Sequence, residues 1–285
     1  MKISAYHNDQ GDNVGFNISD PDIVYASVVF EENKHKVDGL QFFHPDAEIR
    51  VGGSGYDLSK KLPNEVEYMK PDYSLYPELD YSMGFTTRGC IRDCEFCVVP
   101  QKEGSLCRWQ HPKRFHDQQF DKMKLLDNNI LADKEWFFEV TDWILDENIK
   151  IDFNQGLDIR LLDQEISDRL AELNHFTTLK FAWDHPEDEQ QIKEGIEKLK
   201  RSGMNLRVKT QFYVLTNFDT THKQDLYRCR KLKEWGTNPF VMQYDNGDEF
   251  TRHLARWANK KWLFWSIDFE DYDYLPSKYQ EEVEA

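Results

Sequence analysis

Downstream of about residue 78 the sequence alternates short apolar runs with amphipathic segments, and no other feature restricts the fold as strongly. The apolar runs lie at residues 83–87, 124–127, 151–154, 178–183, 208–215 and 239–244, with a further one at 263–267. Helical patterns fall between them at 134–146, 163–173, 187–202 and 224–235. In the third of these, Ile192, Ile196 and Leu199 recur at i, i+4 and i+7, an apolar stripe for one buried face, and Gly203 follows as a C-cap. Strands separated by helices pair in parallel, because each crossover returns the chain to the same end of the sheet. The expectation is an α/β fold with its functional residues at the carboxyl ends of the strands.

Residues 1–77 read as a small α/β lobe, residues 78–250 as the repeat, and residues 251–285 as an extension packing back on it through Trp257, Trp262, Phe264 and Trp265. In the lobe, the β-branched run from Ile23 to Phe30 reads as a strand buried on both faces. A second strand at 47–51 is closed by Gly52, Gly53, Ser54 and Gly55, which without a full GxGxxG read as a turn before they read as a phosphate cradle.

The chain carries 36 Lys and Arg against 52 Asp and Glu, a net charge of −16, which excludes a general nucleic-acid coat. Its 39% hydrophobic and 14% aromatic content is that of a folded chain. No window approaches the length of a membrane span, and the start lacks the apolar core of a secretion signal, so a soluble, cytoplasmic protein is expected.

Three of the five cysteines, Cys90, Cys94 and Cys97, fall in a CxxxCxxC run directly after the first strand of the repeat. Thiolates select soft metals, and three on one loop can hold three irons of a [4Fe-4S] cubane while the fourth iron stays open. A structural zinc would instead need a fourth ligand, for which Cys107 and His111 are the candidates. The two remaining cysteines, Cys107 and Cys229, are too few for a second all-cysteine cluster.

This motif, with the aromatic Phe96 immediately before the third cysteine and a βα repeat behind it, resembles the signature of the radical SAM superfamily. The resemblance implies a partial (β/α)6 TIM-type barrel and a [4Fe-4S] cluster whose open iron binds S-adenosylmethionine (SAM). It implies reductive cleavage of SAM to a 5′-deoxyadenosyl radical that abstracts hydrogen from a substrate, with a flavodoxin or ferredoxin as reductant. Cys90, Cys94 and Cys97 would hold the cluster. Phe96, Asp127, Asn128, Gln155, Asp158, Arg160, Thr216 and Asn217 would contact SAM, with Asp127 on its amino group, Asp158 on the ribose and Arg160 on the carboxylate. Cys107 and Asp184 would serve catalysis, and Asp245 would touch substrate. Blander readings stand beside these: an Asx turn at Asp127, an internal Asp158–Arg160 pair, a helix cap at Asp184, a packed Cys107 and a core role for Trp183.

The amino-terminal lobe resembles pieces of a cobalamin-binding domain at residues 21–27 and 51–53, but it is short and lacks DxHxxG, since His7 is followed by Asn8, Asp9, Gln10 and Gly11. A degenerate lobe is expected. The rival functions are a cobalamin-dependent radical SAM methylase and a non-catalytic iron–sulfur or zinc protein. The cysteine count weighs against methylthiotransferases, which carry three further cysteines in an amino-terminal domain. A basic stretch with Lys102, Arg108, Trp109, His111, Lys113 and Arg114 suggests a nucleoside, RNA or another anionic metabolite as substrate; a solvated loop is the alternative.

Overall fold

The structure is a computed structural model and describes residues 1–244 and 248–272; Asp245 and the acidic tail lie outside the described residues. The chain is a mixed α/β fold built on small parallel sheets. In the amino-terminal lobe β1 (Ile23–Ser27) pairs in parallel with β2 (Glu48–Gly52). Beyond it come β3 (Ser82–Gly84), β4 (Thr87–Arg88), β5 (Cys107–Arg108), β6 (Lys122–Leu125) and β7 (Lys150–Phe153). They are followed by β8 (Leu179–Ala182), β9 (Thr210–Thr216) and β10 (Pro239–Gln243).

β3, β6 and β7 form one parallel sheet and β8, β9 and β10 another, each in chain order. Two parallel bridges, Ile151 to His175 and Leu157 to Phe181, carry the pairing from β7 to β8. Among the described residues no pairing joins β10 to β3, so the sheets do not close.

Alternation along these strands decides which face is covered. Met123, Leu125, Ile151, Phe181, Phe212 and Val214 are buried in the main core, together with Phe137, Val140 and Ile144 of the helix Lys134–Asp146 and Ile192, Ile196 and Leu199 of the helix Glu189–Arg201. The other face carries Lys124, Asp152, Lys180 and Tyr213 on four successive strands. There Asp152, almost wholly buried, accepts from Lys180 Nζ at 2.8 Å and from Thr177 Oγ1 at 2.5 Å, with Lys124 Nζ at 3.7 Å. Side-chain N-caps begin three of the helices: Asp133 accepts from Trp136 N, Asp163, expected inside its helix, accepts from Ile166 N, and Thr221 forms a reciprocal capping box with Gln224, so that helix starts at His222 rather than at 224.

Several expectations need correction. The expected strand at 83–87 is divided: β3 stops at Gly84, and β4 turns away to pair antiparallel with β5. Residues 208–209 belong to a helical turn, Leu206–Lys209, ahead of β9. The run at 263–267 is not a strand but lies in the helix Lys261–Ser266. In a strand Trp262 and Phe264 would share a face, yet Trp262 is 69% exposed and Phe264 fully buried. The expected lobe strand at 23–30 ends at Ser27 and is not buried on both faces: Tyr25 within it is 38% exposed, and Val29 and Phe30, beyond it, are each 62% exposed. The crossover between β1 and β2 is only the turn Glu31–Lys36 and the short helix Leu40–Phe43, too little helix to cover a sheet. Gly53 and Gly55 serve close packing: a Cβ on either would lie 2.3–2.4 Å from the backbone of Val28 or Phe30. Trp183 is core, fully buried and stacked on Trp235 at 5.2 Å.

Candidate metal centre

Cys90, Cys94 and Cys97 sit on one loop, all half-buried and none in a disulfide. The loop begins at Gly89, whose φ of +72° favours glycine, and a Cβ there would fall 2.3 Å from Ser105 O. Cys90 N donates to Gly104 O at 3.3 Å, which draws the two ends of the loop together.

Ahead of Gly89, Asp127 just beyond β6 holds the chain. Its Oδ1 accepts from Thr86 N at 3.0 Å, Thr86 Oγ1 at 2.7 Å, Thr87 Oγ1 at 2.6 Å and also Thr87 N, while Oδ2 accepts only from Thr86 N at 3.2 Å. Burial pushes this carboxyl up, with the donors from Thr87 and Thr86 pulling the other way. Asn128 Nδ2 donates to Glu103 Oε2 at 2.9 Å, and the same oxygen accepts from Gly89 N at 3.1 Å. Glu103 Oε1 takes Arg88 at 3.2 Å, and Arg88 reaches on to Glu67 at 3.0 Å.

Within the loop, Arg92 Nε donates to Asp158 Oδ2 at 2.9 Å. Asp158, beyond β7, also accepts from Arg160 Nε at 2.8 Å and from Arg160 N at 3.1 Å. Burial raises the Asp158 carboxyl, but Arg160 and Arg92 together bring it below the usual carboxylate range. Arg160 gives its other arm to Asp188 at 2.8 Å. The internal Asp158–Arg160 pair is thus present, and Arg92 and Asp188 extend it into a network of four.

Cys94 lies in electrostatic reach of Cys97, Asp184, Cys90 and Arg160. Burial pushes its thiol up first, Cys97, Asp184 and Cys90 add to this, and Arg160 opposes. Asp184, beyond β8, accepts from Leu215 N at 3.2 Å and is itself raised by burial. Its backbone oxygen and that of Trp183 take Arg228 NH1 at 2.5 and 2.7 Å. Phe96 packs edge-on against Phe218 at 5.5 Å, with His185 at 6.3 Å, and Phe218 packs on Tyr244 at 4.8 Å. The loop at residues 86–97 therefore touches residues at or just beyond the carboxyl ends of β6, β7, β8 and β9 in turn.

The other expected residues sit as follows. Gln155 is exposed beyond β7, Thr216 is buried at the end of β9 with Oγ1 3.4 Å from Met242 O, and Asn217 adopts a φ of +64°. Cys107 is exposed on β5, in register with Arg88. His111 packs on Trp143 at 5.5 Å and Trp136 at 6.0 Å, and Lys113 N donates to its Nδ1 at 3.3 Å. Cys229 is fully buried and its thiol is pushed up to about 12 by that burial. Among the described residues no three His, Cys, Asp or Glu side chains are gathered closely enough to share one metal ion.

Sequence reasoning missed Arg92, Glu103, Thr86, Thr87 and Asp188. Arg92 lies inside the motif and was the one with a visible signal, as the only cation between the first and third cysteines. Among the described residues no helix is long and apolar enough to cross a membrane. No family profile and no curated protein matches this chain.

Proposed function

We propose that the chain is a radical SAM enzyme on a partial (β/α)6 barrel, with a [4Fe-4S] cluster on Cys90, Cys94 and Cys97. The observation that carries this reading is the course of the cysteine loop across the carboxyl ends of successive parallel strands, where Arg92 meets Asp158 and Phe96 meets Phe218. Ligand chemistry in parallel α/β folds gathers at those ends.

The donor set fits the group. A single zinc, with Zn–S near 2.3 Å, needs its thiolates on one point and a closing ligand. A cubane gives each thiolate a different iron, so the three sulfurs need not converge on one point, and three free, half-buried thiols on one loop suit it. His111 is engaged with Trp136 and Trp143, and Cys107 is on the exposed β5, so neither supports a closed site. Burial first, and then the nearby Cys97, Asp184 and Cys90, make ionisation costly for Cys94, a cost that a cationic centre removes.

When bound, the cluster supplies the electron that cleaves the SAM sulfonium to a 5′-deoxyadenosyl radical. The chain's own residues place the loop. Asp127 and Glu103 fix its entry, Arg92 ties its middle to Asp158, and Phe96 with Phe218 offers aromatic edges for the adenine. Asp184, which accepts from Leu215 N and lies in electrostatic reach of Cys94, is the carboxylate we assign to the SAM ammonium or a substrate proton. Asp127 spends Oδ1 on four donors from Thr86 and Thr87, so we assign it to positioning the loop. The substrate is proposed as a nucleoside, RNA or other anionic metabolite, and the reductant as a flavodoxin or ferredoxin.

The test is anaerobic reconstitution with iron and sulfide, reduction by dithionite with SAM, and assay for 5′-deoxyadenosine beside Cys94→Ala. Product from the intact triad alone supports the reading; a four-iron cluster without SAM cleavage overturns it in favour of a redox or structural site.

A further inference from the structure

Two hollows open at the amino ends of the strands, opposite the cysteine loop. One, of ≈ 550 Å³, is lined by Arg230, Lys233 and four carboxylates. The other, of ≈ 380 Å³, is lined by Arg207, Val208, Asn238, Lys261, Trp262, Trp265 and Ser266. In a chain of net charge −16 this second hollow has no carboxylate in its wall.

Its side chains are arranged as a platform. Trp262 is 69% exposed. Trp265 is held by a bond from its Nε1 to Asn238 Oδ1 at 2.9 Å, and the Arg207 guanidinium lies over its ring at 4.1 Å. A guanidinium stacked in this way keeps its N–H edges free to meet an anion. Asn238 is itself anchored through Nδ2 to the Arg207 and Thr210 carbonyls at 2.9 and 2.8 Å, so the wall is rigid. Lys209 and Lys260 flank the lining in sequence, and among the described residues none of Arg207, Lys209, Lys260 and Lys261 pairs with a carboxylate.

Flat aromatic faces set among unpaired cations are what an unpaired base and its phosphates need. We propose that this hollow binds single-stranded nucleic acid, with one base stacked on Trp262 and the adjoining phosphates on Lys261 and Arg207. The site is separate from the cysteine loop and does not rest on the cluster reading.

The test uses the full-length protein and a fluorescein-labelled 12-nucleotide oligouridine, titrated by anisotropy at low and moderate salt, with an oligothymidine and a duplex as further arms. Wild type should bind both single strands better than the duplex, with affinity falling as salt rises. Trp262→Ala should weaken binding about tenfold, the scale of one lost base stack. The double change Lys260→Glu, Lys261→Glu should weaken it further and flatten the salt dependence. Trp262 is exposed, so its removal leaves the core intact, and circular dichroism checks this. No wild-type binding, or wild-type affinity in both variants, overturns the proposal. Loss confined to Lys113→Glu, Arg114→Glu does the same and moves the strand to the basic loop near the cysteines.

Discussion

Arg92 and Asp158 stand 66 positions apart in the chain, and the structure sets Arg92 Nε 2.9 Å from Asp158 Oδ2. One residue is inside the cysteine motif and the other follows β7, so the pair fastens the loop to the strand ends. Asp158 also takes Arg160, so one carboxylate serves two guanidiniums, and that is why its carboxyl is held down in spite of burial.

Removing that carboxylate should loosen the loop before it harms the core. Asp158→Ala is expected to cost about 1.5–3 kcal/mol, the range for hydrogen bonds to charged groups. Amide hydrogen exchange should show lower protection over residues 90–97 than in wild type at pH 7. A carboxyl lowered in the folded state stabilises above its unfolded value, near 3.9, and that contribution is lost as pH falls through the folded value. Protection in the two proteins should therefore converge below about pH 4, and equal protection at pH 7 would deny the tether.

Asp127 gives a sharper contrast between two substitutions. Oδ1 accepts all four Thr86 and Thr87 donors, and Oδ2 only one of them. Asp127→Asn can keep Oδ1 in place and should cost roughly 1 kcal/mol, whereas Asp127→Ala strands buried donors at about 1–3 kcal/mol apiece, less than additively. Thermal melts should place Asn close to wild type and Ala several degrees lower, with less iron retained after reconstitution. Equal melts for Asn and Ala would mean the threonine bonds contribute little.

Much of this was legible in the sequence because it depends on local period. Runs near 124, 151, 179, 212 and 241 became strands, and the patterns at 134–146, 163–173, 187–202 and 224–235 became helices with ends shifted by no more than about two residues. The ends and surroundings of elements were not legible, because they depend on partners far along the chain. Val29 and Phe30 read as core strand, but β1 stops at Ser27 and both lie exposed beyond it. Phe264 read as strand until its neighbour Trp262 proved to point away. The three cysteines announced the site, but Asp127 as a clamp on Thr86 and Thr87, 41 and 40 positions distant, could not be read from spacing.

Asp184 should set the reactivity of Cys94. Burial raises its carboxyl, so at neutral pH its charge costs stability, and that cost sets in as pH rises from the unfolded value through the raised one. Asp184→Asn removes the charge and can keep the acceptor for Leu215 N. The variant lacking metal should melt higher than wild type at pH 7, with the gap closing toward pH 4. Cys94 should also alkylate with iodoacetamide at a lower pH in the variant, because one of the neighbours that push its thiol up is gone. An unchanged alkylation profile would separate Asp184 from the cysteines.

Gly89 sets the shape of the loop at its root. Its φ of +72° is already unfavourable for other residues, and a methyl there would sit 2.3 Å from Ser105 O and 2.5 Å from Gly104 O. These are backbone atoms at the closing end of the loop, so relief requires the loop to open and the bond from Cys90 N to Gly104 O to go. Strain of this kind costs on the order of 1–3 kcal/mol, small beside the core that holds Phe137, Ile151 and Phe212. Gly89→Ala should therefore keep its far-ultraviolet circular dichroism and lose most of its iron on reconstitution, as Cys94→Ala should, while Cys107→Ser should keep it. Full iron binding in Gly89→Ala would show that the three thiols reach a cluster without this loop geometry.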